Sequence, residues 1–367
     1  MRAIVLVGGQ GTRLRPLTTT VPKPLLPIAG QPFLERQLEW LASHGVDEVV
    51  LSLGYLPDAF RARFPDDAHA GVRLSYVVEP YPLGTAGAIR FAAGAAVAGD
   101  DERFVVCNGD VLTSLDLGEL IAFHIAREAE ATIHLTRVAD PSAFGVVPTS
   151  DDGEVRAFVE KPPPGTAPSS WINAGTYVLE ASVLDRIPVD LTVSIERETF
   201  PRMLEQHGRL FATGTDDYWL DIGTPDKYLE ANRDVVAGKL GTPPVAGAVA
   251  RDDSVWDLGA AIDDASSVEG PTLLGSRAVL EAHSRVERAV VGADVVIGQG
   301  AVVEDAVVLD GACIGPHARV AESIVGPRAT IGPRAVLSGG SVVGEGAYVD
   351  ASAALVGAKV ELPTAAG

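Results

Sequence analysis

The stretch Leu6-Val-Gly-Gly-Gln-Gly-Thr-Arg-Leu-Arg-Pro-Leu-Thr18 concentrates groups that bind anions. Gly8, Gly9 and Gly11 carry no Cβ, so their backbone N–H groups can approach a phosphate closely. Thr12 adds a hydroxyl donor, and Arg13 and Arg15 add fixed cationic forks. Lys23 stands between Pro22 and Pro24, whose fixed φ limits the backbone around it. Arg2, Arg13, Arg15 and Lys23 all precede the first acidic residue, Glu35. This basic, glycine-rich opening predicts a polyphosphate site. It is not a dinucleotide fingerprint, because Leu14 stands where the third glycine would be, and no Gly-Lys-Ser/Thr makes it a Walker loop.

The rest of the chain has the opposite charge. Among 367 residues, 49 are acidic and 29 basic, a net charge of −20, so a basic face for nucleic acid or for an anionic membrane is not expected. The hydrophobic fraction of 47% suffices for a packed core. No run of about 18 apolar residues exists to span a bilayer. The apolar opening Ala3–Val7 breaks at Gly8-Gly9, too early for a signal peptide. Cys107 and Cys313 are the only cysteines, and two lone thiols suit a reducing, cytoplasmic setting. Lysine is scarce: only Lys23, Lys161, Lys227, Lys239 and Lys359 occur, and each is a point charge that could meet a phosphate.

Positioning these groups falls to alternating strand and helix signals over residues 1 to about 235. Ala3–Val7, Val49–Leu53, Leu74–Val78 and Phe104–Cys107 read as short buried strands. Phe33–His44, with Phe33, Leu34, Leu38 and Leu41 on one face and Gly45 as a stop, reads as a helix, as does Ala86–Val97. This order predicts a Rossmann-like, mostly parallel sheet, in which ligands bind beyond the carboxyl ends of the strands. Gly8-Gly9 and Asn108-Gly109-Asp110 both fall just past such ends.

The pattern changes near residues 239–248, where Gly241-Thr-Pro-Pro244 reads as a linker. From there aliphatic residues recur about every six positions: Val291, Ile297, Val303, Ile314, Val320, Val325, Ile331, Leu337, Val343 and Val349. Glycine often follows, and a small residue sits four places on, as at Ala301, Ala318, Ala329 and Ala335. This is the hexapeptide pattern of a left-handed parallel β-helix, three hexapeptides to a coil. Slips near 308–314 and 320–325 predict a loop or an imperfect coil, and the tail Leu362–Gly367 is expected to fray. The expected domains are a catalytic domain at 1–238, a linker at 239–248 and a β-helix at 249–367.

Gly8-Gly-x-Gly-Thr-Arg-Leu-x-Pro-Leu-Thr18 with Pro22-Lys-Pro-Leu25 resembles the signature of the sugar-1-phosphate nucleotidyltransferases. The resemblance continues through Leu83-Gly-Thr-Ala-Gly87, Asn108-Gly-Asp110, Phe144-Gly-Val146, Val159-Glu-Lys-Pro162, Ile172-Asn-Ala-Gly-x-Tyr177, Ser194-Ile-Glu-x-Glu198 and Trp219-Leu-Asp-Ile-Gly-Thr-Pro225. The Asn-Ala-Gly, Ser-Ile-Glu and Asp-Ile-Gly blocks look most like mannose-1-phosphate guanylyltransferases. The resemblance implies in-line attack of a sugar-1-phosphate oxygen on the α-phosphorus of a nucleoside triphosphate, with pyrophosphate leaving. It implies that Arg13 holds the triphosphate and that Lys23 neutralises the α-phosphate and the sugar phosphate. It makes Asp110 and Asp221 a carboxylate pair for Mg²⁺, a hard ion that takes few protein oxygens alongside phosphate. Gly84 and Thr85 join Gly8, Gly9, Gly11 and Thr12 on the nucleotide. Glu160, Lys161, the Gly145 backbone and Asn173 fall to the sugar phosphate. Glu196 and Glu198 open a helix after Ser194, where acids complement the dipole, and a sugar contact stays open beside that role.

Glu79 matches a base-contacting position that is glutamine in thymidylyl- and uridylyl-transferring relatives. A carboxylate offers only acceptors, which suits the adjacent N1–H and amino donors of guanine. GTP with mannose-1-phosphate is therefore the expected pair. UTP, dTTP or ATP with glucose-1-phosphate, or a silent nucleotide-sugar sensor, are the alternatives. The β-helix is expected to support a homo-oligomer, its His283 and His317 to be surface or core residues, and Cys107 to be core.

Overall fold

The structure is a computed structural model that describes residues 1–96, 103–252 and 254–362. The expected helix end at Val97 and residues 363–367 of the tail lie outside the described residues. The chain forms two compact units: Met1–Gln10 with Leu34–Trp219, and Gly11–Phe33 with Leu220–Gly367.

The first unit is built on a ten-stranded sheet. Its strands are β1 (Arg2–Leu6), β2 (Glu48–Leu53), β3 (Ala68–His69), β4 (Val72–Val78), β5 (Phe104–Asn108), β6 (Ala131–Arg137), β7 (Gly145–Val146), β8 (Val159–Glu160), β9 (Trp171–Leu179) and β10 (Leu210–Thr215). The main path runs β8-β7-β9-β5-β1-β2-β4-β3, with β6 pairing β9 and β10. Strands β5, β1, β2 and β4 are mutually parallel, as the buried apolar runs predict. Beyond β5 the sheet turns mixed, since β9 runs antiparallel to both β5 and β6. The helix α1 (Phe33–Ser43) buries Leu34, Leu38 and Leu41 completely. The helix α3 (Gly84–Ala96), which follows the short α2 (Pro57–Arg63), presents Ala86, Ile89 and Ala93 to the sheet core beside Ile4, Val50 and Val106. Their three- and four-residue spacing is one face of a helix. After Ser194 the chain forms one π-helical turn, Ile195–Thr199, before the α-helix Phe200–Glu205. Ser194 and Glu198 cap it reciprocally: the Arg197 N–H donates to Ser194 Oγ, and the Ser194 N–H to Glu198 Oε1.

The second unit carries the left-handed parallel β-helix, three sheets whose strands repeat in parallel once per coil, with Val249–Ala250 joined antiparallel at one edge. Leu273, Val290, Val307 and Ile324 stack at 17-residue intervals, and Val342 follows after 18. Of the loop or imperfect coil expected at the slips, the structure forms the imperfect coil. Val303, Val308, Ile314, Val320 and Val325 all point inward and are fully buried. The irregularity is a side of five residues instead of six between Val286 and Val291, between Val303 and Val308 and again between Val320 and Val325. A 17-residue coil keeps every aliphatic inside while one corner tightens. The recurrent Ile-Gly pairs have a steric origin. A Cβ on Gly298 would come within 2.8 Å of Ile314 O, and one on Gly315 within 2.7 Å of Pro333 N. Each glycine lets the next coil pass against it.

The helix Pro225–Val236 belongs to this unit and packs on strands Thr272–Leu274 and Val290–Val291. It also clasps the 11–33 segment. Tyr228, fully buried, donates its hydroxyl to Pro27 O at 2.5 Å, and Asn232 Oδ1 accepts from the Ala29 N–H at 2.8 Å.

Candidate active site

In the first unit Gly8, Gly9 and Asp110 lie beyond the carboxyl ends of β1 and β5, as the topology predicts. Leu6 and Asn108 are register partners, and the Gly109 N–H donates to Leu6 O at 2.9 Å. Gly8-Gly9 and Asp110 therefore leave neighbouring strand ends. A Cβ on Gly109 would sit 2.4 Å from Val7 Cγ1, so only glycine allows this approach. Gln37, on the buried side of α1, donates from Nε2 to Asn108 O at 2.9 Å and steadies the Asn-Gly-Asp turn from behind. Its Oε1 is buried with no hydrogen-bond partner among the described residues.

Glu79 lies against Gly8: a Cβ on Gly8 would come within 3.0 Å of Glu79 Oε1. The carboxylate accepts from Ser52 Oγ at 3.1 Å and from the Leu83 N–H at 3.0 Å. It braces the turn leading into α3 and keeps lone pairs for a further donor.

Gly84 and Thr85 open α3. Gly84 has φ of +71°, and a Cβ there would stand 2.5 Å from Val193 O. Thr85 Oγ1 accepts from the Ile195 N–H at 2.8 Å and donates to Glu196 Oε2 at 2.7 Å. Glu196 also accepts from Ser194 Oγ at 2.7 Å and from Tyr177 OH at 3.3 Å. Tyr177 accepts from Asn173 Nδ2 at 2.7 Å, and Asn173 Oδ1 accepts from the Gly175 N–H at 2.9 Å. Full burial, reinforced by the Glu196 charge, pushes the Tyr177 phenol well above its ordinary value, so it stays a neutral donor. A continuous polar chain thus links Thr85 to Asn173.

Gly145 and Glu160 face each other across β7 and β8. A Cβ on Gly145 would meet Phe158 Cε1 at 2.6 Å and Glu160 Oε2 at 3.0 Å. Two cations approach Glu160 Oε1: Lys161 Nζ at 3.9 Å and Arg197 Nη2 at 3.4 Å. Lys161 itself has φ of +49°, and its N–H donates to Phe144 O.

The second unit holds the other candidates. Gly11, with φ of +59°, starts a 3-10 turn, Thr12–Leu14, in which the Leu14 N–H donates to Gly11 O at 2.9 Å. A Cβ on Gly11 would be 3.0 Å from Lys23 Cβ, which brings Lys23 against the glycine loop. Thr18 Oγ1 closes the loop by donating to Gly11 O at 2.8 Å. The Arg13 guanidinium lies over Gly223, where a Cβ would come 2.6 Å from Nη2. Gly223 follows Asp221 by two residues, so Arg13 and the Asp-Ile-Gly turn adjoin.

Sequence reasoning left Tyr177 without a role, left Glu196 open and passed over Gln37 and Arg197. Gln37 was visible as a polar residue on the apolar face of Leu34, Leu38 and Leu41. Nothing local marks Arg197. Cys107 is buried in β5, and burial pushes its thiol up to about 12, as befits a core residue.

Asp110 and Asp221 each carry hard oxygen donors, a donor chemistry that fits a hard divalent ion. Among the described residues no group of three or more His, Cys, Asp or Glu side chains is poised to bind a metal ion. No helix among the described residues is long and apolar enough to cross a membrane.

Residues 2–238 match the nucleotidyl transferase family, and residues 255–366 match the GMPPB C-terminal domain. The chain belongs to the nucleotidyl transferase family, whose members generally use a divalent metal. It is 41% identical over 290 residues to the mannose-1-phosphate guanylyltransferase of Mycobacterium tuberculosis, covering 79% of each chain. It is 42% identical over 235 residues to mannose-1-phosphate guanylyltransferase 1 of Arabidopsis thaliana, covering 64% of each. Among solved structures, HddC from Yersinia pseudotuberculosis complexed with GMP-PN aligns with a TM-score of 0.55 at 32% identity, over 64% of this chain and 98% of that one.

Proposed function

We propose that this chain transfers GMP from GTP to mannose-1-phosphate, forming GDP-mannose and pyrophosphate. The observation that carries this reading is the 41% identity over 290 residues to a guanylyltransferase of that name. It is supported by Glu79, an acceptor-only group beside Gly8 whose remaining lone pairs suit the paired donors of guanine.

The reaction brings two anions together, so the residues act by positioning and by charge neutralisation. Backbone N–H groups at Gly8, Gly9 and Gly11 and the Thr12 hydroxyl cradle the triphosphate. Arg13 holds its outer phosphates and stabilises the charge on departing pyrophosphate. Lys23 neutralises the α-phosphate as the sugar phosphate oxygen attacks. Gly84 and Thr85 shape the nucleotide pocket with Glu79. Glu160 accepts from sugar hydroxyls, the Gly145 backbone and Asn173 orient them, and Lys161 holds the sugar phosphate. Asp110 and Asp221 would hold Mg²⁺, which when bound supplies charge neutralisation to the phosphate oxygens.

The catalytic domain is assigned to residues 1–238, a linker to 239–248 and the β-helix to 249–367. The β-helix is proposed to join copies of the chain. Its second sheet turns Ala261, Val279, Val296, Cys313, Thr330 and Tyr348 outward, an uncharged ladder on a chain of net charge −20. The two free thiols support a cytoplasmic setting.

The test is pyrophosphate release with Mg²⁺ across GTP, UTP, dTTP and ATP, each against mannose-1-phosphate and glucose-1-phosphate. GTP with mannose-1-phosphate is expected to dominate. A different preferred pair retires the substrate assignment. Binding of nucleotide sugar without turnover of any pair makes the chain a sensor.

A further inference from the structure

The segment that carries Arg13 and Lys23 lies in one compact unit with the β-helix, and its contacts there are specific. Lys359, on the outermost strand of the β-helix, donates from Nζ to Arg13 O at 3.3 Å. Thr20 Oγ1 donates to Glu345 Oε2 at 2.6 Å, and Arg328 pairs with the other oxygen of Glu345. The Pro16 ring lies over Gly344, where a Cβ would come within 3.0 Å of Pro16 Cβ. Gly344, Glu345 and Lys359 belong to the last two turns of the helix, where Lys359 pairs with Val342. Three points of contact, at residues 13, 16 and 20, thus fasten the loop from end to end.

We propose that the terminal coil of the β-helix is a positioning platform for the triphosphate loop, with Lys359 and Glu345 as positioning residues for Arg13. The physical need is clear in the loop itself. Its internal hydrogen bonds include three short 3-10 contacts, Leu14 N–H to Gly11 O, Arg15 N–H to Thr12 O and Thr19 N–H to Pro16 O, and the Thr18 closure. Such a turn has no helix or sheet to hold it, and its glycines raise the entropy of the free chain. A cation-to-carbonyl bond at Arg13 O directs that backbone and therefore the guanidinium it carries. Lys359 is one of five lysines in the chain, and its charge adds to a segment that already bears Arg13, Arg15 and Lys23. In this reading the β-helix contributes to nucleotide binding in each subunit by itself.

The inference rests on the proposed nucleotidyl transfer for its kinetic readout, and a second readout needs no substrate. In the full-length protein, Lys359→Met and Thr20→Val are expected to raise the KM for the nucleoside triphosphate about threefold to tenfold, the worth of one hydrogen bond to a charged or polar partner. The KM for sugar-1-phosphate should stay within about twofold, and Lys359→Arg should restore most of the loss. In ligand-free protein, amide hydrogen exchange at Leu14 and Arg15 should accelerate in Lys359→Met and not in Lys359→Arg. Unchanged exchange at these amides overturns the platform, as does an equal rise in both KM values that tracks a fall in Tm. Accelerated exchange in a protein that turns over no substrate pair keeps the platform and retires the catalytic reading instead.

Discussion

Thr85 donates its hydroxyl to Glu196 at 2.7 Å, tying the first turn of α3 to a π-helical turn 111 residues further along. The same carboxylate accepts from Ser194 and Tyr177, and Tyr177 holds Asn173. One carboxylate therefore fixes a residue assigned to the nucleotide and, through a neutral buried phenol, a residue assigned to the sugar. Hydrogen bonds to a charged acceptor are worth more than neutral ones, and a buried phenol left without its acceptor is costly.

Replacing Glu196 by Ala should lower the unfolding free energy by about 2–3 kcal/mol, because three hydroxyl donors lose their acceptor. Glu196→Gln, which retains one oxygen, should lose less. Urea denaturation followed by tryptophan fluorescence measures both. Equal midpoints for wild type and Glu196→Ala would show that the network does not hold the two segments.

Gly223→Ala separates geometry from stability. The new Cβ would meet the flexible end of Arg13 at 2.6 Å, so the guanidinium must move while the backbone need not. Tm should change little, whereas kcat/KM should fall by about tenfold or more, since displacement of a charge-stabilising group by an ångström is expensive in the transition state. Unaltered kcat/KM would remove Arg13 from the reaction.

Glu79→Gln tests base choice. The amide keeps an acceptor for Ser52 or Leu83 but presents a donor where guanine also presents donors. The ratio of kcat/KM for GTP over UTP should fall by about tenfold or more. An unchanged ratio would leave Glu79 as a loop brace only.

His134 makes stability depend on pH. Burial pushes its imidazole down to about 4, and Thr215 Oγ1 meets Nε2 at 2.9 Å. The unfolded chain takes up a proton near pH 6.5, whereas the folded chain resists until about 4. Stability from this group is therefore complete above pH 6.5 and lost as pH falls towards 4, by roughly 3 kcal/mol in all. The stability of wild type relative to His134→Gln should decline over that window. A pH-independent difference would rule out the neutral buried imidazole.

Gly315→Ala probes the β-helix. Its Cβ would press on the backbone of the next coil at 2.7 Å from Pro333 N, and backbone cannot swing aside. A loss of about 1–3 kcal/mol is expected from overpacking, read as a lower Tm. A substitution without effect would mean that the coils separate more readily than their hydrogen bonds suggest.

Much was legible along the chain because the responsible physics is local. Apolar runs ending in glycine placed β1 and β5 within a residue, and the Leu34, Leu38, Leu41 spacing placed α1. The six-residue rhythm of aliphatics announced the β-helix. Its five-residue sides showed as slips, expected as a loop or an imperfect coil and formed as the latter, and the first was placed at 308–314 because Val308 was not counted, although it is as buried as Val303 and Ile314. The antiparallel course of β9 was not legible, since strand direction depends on partners far away in sequence.

By itself the sequence determined which residue types could meet phosphate, sugar and base, and the period of each element that carries them. Those properties belong to single side chains and to neighbours three, four or six residues apart. Only the tertiary structure decided that Glu196 joins Thr85 to Tyr177, that Gly223 makes room for Arg13, and that Lys359 reaches the Arg13 carbonyl across 346 positions of chain. Such pairings depend on how sheets and coils stack, and no local pattern encodes the distance between residues that only packing brings together.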